Sequence, residues 1–246
     1  MKNNGHVLEV WGDFACFSRP EMKVERFSYP IMTPSAARGI FDAIYFKRTE
    51  FRWQIRRIEV LSPPTFIPLR RNEVKDKAPE RAIQQWMSGK APPEPLWADG
   101  TSEELGTDMK GRTQRQTMAL KNVRYRVHAE IVPWPAFAAK VNGLNEQFRR
   151  RARRGQCFQQ PSFGCREFPA FFRLVEEDDP QPLPCADFSR EIGIMLYDVF
   201  NLSVPGGPDD RPFISVFRAR VTAGVLEVPP FESEQVLKPA GGQTHA

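Results

Sequence analysis

Tyr45 closes a predicted helix, and arginines and lysines recur on both sides of it in the chain. Those residue types suit one kind of chemistry, the cleavage of RNA without a metal. There the 2′-hydroxyl beside the scissile phosphate is already the nucleophile. A protein need only hold it in line, help move protons and offset charge on the phosphate. Tyr45 is of the type to move or position a proton, and arginines are of the type to hold phosphate. A free phenol titrates near 10, so Tyr45 acting as a base at neutral pH would need a nearby cation. Arg38 shares its helix but lies about two turns back. Signatures of other chemistries are missing: no GxxxxGK[ST], no GxGxxG after a strand, no HExxH, and no metal-like carboxylate cluster within one loop. No metal and no cofactor is called for. His128 lies well inside the chain, while His6 and His245 are near its ends. Taken alone, Tyr45 also reads as a packed tyrosine with a satisfied hydroxyl, and His128 as a strand-surface histidine.

The helix that carries Tyr45 is predicted over residues 33–45. Thr33 suits the N-cap and Pro34 the first helical position, and Ala36, Ile40, Ala43 and Ile44 share a face. Gly39 weakens this helix, which predicts a close approach by another backbone. A strand precedes it at 6–12, and another follows at 52–61 with a bulge at Arg56–Arg57. Residues 117–132 alternate most clearly, with Val123, Tyr125, Val127, Ala129 and Ile131 on one side and Arg124, Arg126, His128 and Glu130 on the other. A second helix spans 137–154 and stops at Gly155, and a fourth strand covers 168–175. This order, strand–helix–strand–strand–helix–strand, fits the split βαβ ferredoxin-like plan. Residues 62–114 hold seven prolines and read as an irregular insertion with one short helix at 79–87. After an acidic, proline-rich joint at 176–184, strands at 192–199, 212–221 and 224–229 are expected to form a small antiparallel sheet.

At 246 residues, 41% apolar and 26% charged, the chain can bury a real core. It has no apolar run of the roughly 20 residues a membrane span needs, and its N-terminus does not read as a signal peptide. The four cysteines show no C-x-x-C spacing, so reduced thiols in a cytoplasm are the expected state. Net charge is +5 with a pI near 9.1, but the charge is segregated. Residues 109–129 carry six Lys and Arg and no acid, and residues 149–154 carry five arginines. Such runs point to a polyanionic partner.

Two long blocks carry a further signal. Val10-Trp-Gly-Asp-Phe-Ala-Cys-Phe17, the RPEMKVER run at 19–26 and the stretch from Met32 to Tyr45 form the first. The arginine run at 149–154 with Gly155-Gln-Cys-Phe158, Pro161 and Gly164-Cys-Arg-Glu-Phe168 forms the second. Together they resemble the CRISPR-associated Cas-five family, type I-C (Dvulg) subtype, over most of residues 7–175. The resemblance implies an α+β fold. A ferredoxin-like, RRM-like domain of the RAMP superfamily would span 1–178 with its insertion at about 62–114. A small antiparallel β-sheet domain would span 185–231, and a frayed tail 232–246. It implies a metal-independent endoribonuclease that cuts CRISPR repeat RNA and stays on the 5′ tag of the guide RNA. Its partners would be the backbone and large subunits of a type I-C surveillance complex, with no membrane involved.

Tyr45 matches the tyrosine to which the family's catalysis is assigned. The family's Lys-His pair is absent: its place reads Leu144-Asn145, and Lys140 or His128 are the candidate substitutes. Residues expected to contact RNA are Arg19, Lys23, Arg26, Arg38, Arg70, Arg71, Arg112, Arg115, Arg149, Arg150, Arg153, Arg154, Gln156, Phe158 and Arg166. The missing pair keeps a second class open, a subunit with little or no catalysis that caps the 5′ end of the guide RNA.

Overall fold

The computed structural model describes residues 5–22, 24–75, 77, 79–94, 100–107, 111–176, 179, 183–207 and 210–239. In chain order these form β1 (Gly5–Ala15), β2 (Arg26–Phe27), α1 (Pro34–Ile44), β3 (Phe51–Val60), β4 (Thr65–Val74), α2 (Glu80–Met87), α3 (Ser102–Leu105) and β5 (Arg112–Pro133). A 3-10 turn (Pro135–Lys140) then leads into α4 (Val141–Arg153), β6 (Phe171–Val175), β7 (Arg190–Asp198), β8 (Ser215–Thr222), β9 (Val225–Glu227) and β10 (Val236–Leu237). The chain divides into two compact units, residues 1–67 with 118–246, and residues 68–117.

In the larger unit the strand order is β10-β8-β9-β3-β5-β1-β6, with β7 on β8. The pairings along this order, and that of β7 with β8, are all antiparallel. The fold is therefore mixed α/β, built on one large antiparallel sheet with few helices. α1 packs on β3, α4 on β6, and the two helices meet each other. Alternation explains the two faces of the sheet. Leu8 and Val10 on β1, Trp53 and Ile55 on β3, and Val127 and Ala129 on β5 are buried, with the helices closing over an aromatic centre. There Trp53, Phe41 and Phe148 stand 4.7–5.6 Å apart, ring to ring. Full burial of each such side chain is worth about 1.5–3 kcal/mol. His6 edges this cluster and bonds Asn145 at 2.6 Å. Burial lowers its pKa to about 4, so the ring is neutral at neutral pH. The other face is polar. Buried Glu9 accepts from Arg124 and Arg173, and Glu59 accepts from Arg126 and sits 2.9 Å from His128.

Several expectations change. The bulge at Ile55/Arg57 is present, as the pattern demanded. β1 runs past Gly12 to Ala15, because Gly12 leaves room for Phe163 and the Pro169 carbonyl rather than a turn. The insertion is more regular than its prolines implied, since β4 occupies Thr65–Val74, β5 starts at Arg112, and β4 and β5 pair. The late strands do not form a sheet of their own: β9 pairs with β3 and carries the ladder into β8, β7 and β10. Residues 232–239 are not frayed either, and 240–246 lie outside the described residues. Val236 is buried and pairs with Phe217, which gives β10 apolar surface to cover.

Candidate functional site

The C-terminal end of α1 is where chemistry-bearing residues gather. α1 starts as its sequence requires, with the Thr33 hydroxyl accepting from the Ala36 N–H and Pro34 in the first turn. Its last carbonyls would be orphaned, and the helix has no basic residue of its own in the last turn. Other elements supply the donors. Tyr45 N–H bonds Phe41 O at 2.9 Å, Phe158 N–H bonds Ala43 O at 2.7 Å, Arg151 Nε bonds Ile44 O at 2.6 Å and Trp53 Nε1 bonds Tyr45 O at 2.9 Å. Tyr45 is thus clamped on both sides of its Cα, and its ring packs on Phe51 with centroids 5.3 Å apart.

Only 4% of Tyr45 is exposed, yet it lines an open depression of about 530 Å³ with Lys47, Lys140, Gly143, Leu144 and Gln147. Lys47 lies near the phenol and pairs with Glu50 at 2.8 Å. Burial pushes the phenol's pKa above its ordinary value, with Lys47 pulling it back. A phenol shifted in that direction holds its proton at neutral pH and can donate a hydrogen bond. Two ammonium groups beside it can offset charge on a phosphate. Among the described residues no group of three or more His, Cys, Asp or Glu is placed to hold a metal.

The predicted site residues divide. Lys140 stands beside Tyr45 in the depression. His128 does not: it lies on the polar face of the sheet, on the side away from Ala129 and the helices, beside Glu59. Leu144 and Asn145 are buried, and Asn145 is taken up by His6. Arg38 is already engaged within the protein. Its guanidinium is held between Asp42 and Asp198, bonding the latter through Nε at 2.7 Å and Nη2 at 3.0 Å, so it ties α1 to β7. Arg149 and Arg153 pair with Glu146 and Glu176, while Arg150 bonds Gln147, linking the run to the Tyr45 depression. Arg154, Gln156 and Phe158 are exposed.

Arg19 sits over the Tyr29 ring and pairs with Glu21, and Arg26 bonds Cys165 and Glu167. Arg166 is exposed in that second loop. Arg70, Arg71, Arg112 and Arg115 lie on β4 and β5 in the smaller unit, where Arg71 and Arg115 share Glu73. Lys23 lies outside the described residues. Gly164 does bring backbone close, but the backbone is the chain's own, since a Cβ there would meet Cys16 O at 2.1 Å.

Lys47 and Arg151 are additions. Arg151 stacks under Phe158, 4.0 Å from the ring centroid, while it caps α1. Periodicity holds its signal: it falls three residues after Phe148 and seven after Leu144, on the packed face of α4. No motif marks Lys47.

Residues 6–229 match the family model described as CRISPR-associated protein (Cas_Cas5), under the name Cas_Cas5d. The chain belongs to the Cas5 family. Relatives within it include a Mannheimia succiniciproducens protein named CRISPR pre-crRNA endoribonuclease Cas5d. It is 41% identical over 237 residues, which cover 94% of this chain and 97% of the relative. A Thermus thermophilus protein of the same name is 36% identical over 243 residues, covering 94% of each chain. Two solved structures share the fold of this Cas5 family member. One, titled as a CRISPR-associated protein, has a TM-score of 0.61 at 16% identity, with 95% and 96% of the two chains covered. The other, a functionally uncharacterized Streptococcus mutans protein, has a TM-score of 0.60 at 17% identity over the same shares.

Proposed function

We propose that this chain is an endoribonuclease that cuts precursor CRISPR RNA within its repeat and remains on the 5′ tag. The 2′-hydroxyl gives up its proton to water as its oxygen attacks the neighbouring phosphorus, and the bond to the 5′-oxygen breaks as that oxygen takes up a proton. A 2′,3′-cyclic phosphate is left on one product and a 5′-hydroxyl on the other. Tyr45, neutral and clamped, donates its hydrogen bond to the phosphate or to the departing 5′-oxygen. Lys47 and Lys140 offset the charge that builds on the phosphorane, and no metal is needed. The observation that carries this reading is the convergence of a rigidly held phenol with two lysines in one open depression. The names of the 41% and 36% identical relatives supply the substrate class. The basic run 149–154 and Phe158, beside that depression, would hold the RNA.

The core of the larger unit is read as a ferredoxin-like, RRM-like domain. The order β6-β1-β5-β3, with α1 and α4 as its two crossovers, supports that assignment. The guide-bound form would sit in a type I-C surveillance complex, against its backbone and large subunits.

The test is to incubate the protein with labelled repeat RNA in EDTA. A single defined cut is expected, and none in a substrate carrying 2′-deoxyribose at the cut. Normal cutting of the deoxy substrate would overturn the mechanism. Tight binding with no cut in either would favour the non-catalytic capping subunit, which the absence of the family's Lys-His pair motivates, since Leu144 and Asn145 stand in its place.

A further inference from the structure

Gly39 stands in the middle of α1 on its exposed side. A Cβ built there meets nothing within 4 Å, so no neighbouring backbone requires the glycine. Its φ is not left-handed, so no turn requires it either. Alanine would favour the helix. The chain keeps a weakening residue where its own packing gains nothing, and the room it leaves is open.

That room is the crossing point of two clefts, of about 770 and 370 Å³, which share Ser35, Gly39, Ala43 and Gln159 as a common wall. They make one groove over the face of α1. The larger compartment has exposed aromatic walls in Phe46, Phe158 and Phe200. The smaller places the polar groups of Ser18, Gln160 and Ser162 among apolar ones. One end starts at Phe158, whose N–H bonds the last turn of α1 just before Tyr45. The other ends at the loops that carry Arg19 and Arg166.

We propose that this groove takes the single-stranded RNA flank next to the cut. One unpaired base enters the aromatic compartment, and the sugar–phosphate chain crosses directly on the α1 backbone at Gly39. The inference rests on the reading of the chain as an RNA-cutting enzyme, and names where its unpaired nucleotides go. Three observations favour RNA as the occupant. Phe158 lies with one face on the Arg151 guanidinium and is 64% exposed, so a base on its free face continues the stack. Arg48 lines the aromatic compartment and Arg151 lies under Phe158, cations that suit a chain with charge at every residue. A bare helix backbone at Gly39 admits a ribose or phosphate that a side chain would hold off.

The experiment compares the wild-type protein, Gly39→Ala and Gly39→Leu on two RNAs, the repeat hairpin with its flank and the hairpin alone. Gly39→Ala should raise Tm by about 2–4 °C, since helix propensity rises and nothing clashes. Gly39→Leu should weaken binding of the flanked RNA by about tenfold or more and leave the hairpin within about twofold. In parallel, 4-thiouridine in the flank of the RNA should photo-crosslink to peptides covering 34–47 or 158–162 of the wild type. Unchanged affinity of Gly39→Leu for flanked RNA, with cleavage intact, overturns the groove and leaves the proposed function standing. Loss of affinity for both RNAs alike overturns it too. Should Gly39→Leu fail to fold, the absence of crosslinks to either wild-type peptide decides against the groove. A wild-type protein that binds neither RNA fails the functional reading and the groove with it.

Discussion

At the scale of single residues, Tyr45 has the sharpest consequences. Burial raises its pKa, so in the proposed reaction it would act as a proton or hydrogen-bond donor. Tyr45→Phe keeps the ring that packs on Phe51 and removes only the hydroxyl. Cleavage should fall by about 10²–10⁴-fold. RNA affinity should stay within a few fold, because binding is spread over many phosphate contacts. Single-turnover rates and filter binding on the same preparations check both. The pH profile has a sign. A donor phenol with a raised pKa is active below that pKa, and its activity falls as pH rises through it, in the alkaline range. A rate that climbed there would mark Tyr45 as a base. Lys140→Ala should slow cleavage by about tenfold or more, with Lys140→Arg restoring part of the rate. Equal rates for Lys140→Ala and wild type would remove that lysine from the site.

At the scale of elements, α1 is held at two places by side chains from elsewhere. Its last turn is capped by Arg151 and the Phe158 N–H, and its middle is tied to β7 by Arg38. Arg38→Ala would leave the buried Asp198 without its cation. Removing one partner of such a pair costs about 3–5 kcal/mol. The loss should appear in the denaturant midpoint, and an unchanged midpoint would return Arg38 to the list of RNA contacts. On the polar face, His128 first and then Arg126 hold Glu59 at about 2, against an ordinary carboxylate value of 4.5. Its folded pKa is depressed, so the stabilisation is complete above pH 4.5 and is lost as pH falls towards 2. Glu59→Gln should therefore lower Tm most near neutrality, and the gap to wild type should close across that window. A gap independent of pH would show that the carboxylate's charge is not what stabilises the sheet there.

At the scale of the whole molecule, the sheet runs from β6 through β1, β5, β3, β9 and β8 to β10, so the chain as far as Leu237 is part of the main fold. Val236 is buried against that sheet, and Glu232 pairs with buried Arg52. A chain ending at Phe231 should lose Tm by several degrees, given about 1.5–3 kcal/mol for one buried aliphatic side chain alone. A thermal melt of the truncated protein checks it.

The elements around the active helix were legible because each is a local pattern. Thr33-Pro34 starts α1, the period of two marks β5, and the doubled arginines mark the bulge in β3. β4 was not legible, because its residues alternate between exposed and half-buried and give no apolar face to read. The ion pairs of Arg38 were not legible for a different reason. Its carboxylate partner lies 160 residues away, and a guanidinium on a helix looks the same in sequence whether it meets a phosphate or Asp198. The clefts at Gly39 are likewise invisible in the chain, where a helical glycine signals only lost propensity. Sequence alone settled which groups are available, a phenol, lysines and runs of arginine, since residue type and period are local. Tertiary structure alone decided which cations stay free for a ligand, because long-range ion pairing consumes some of them and burial sets whether the phenol gives or takes a proton.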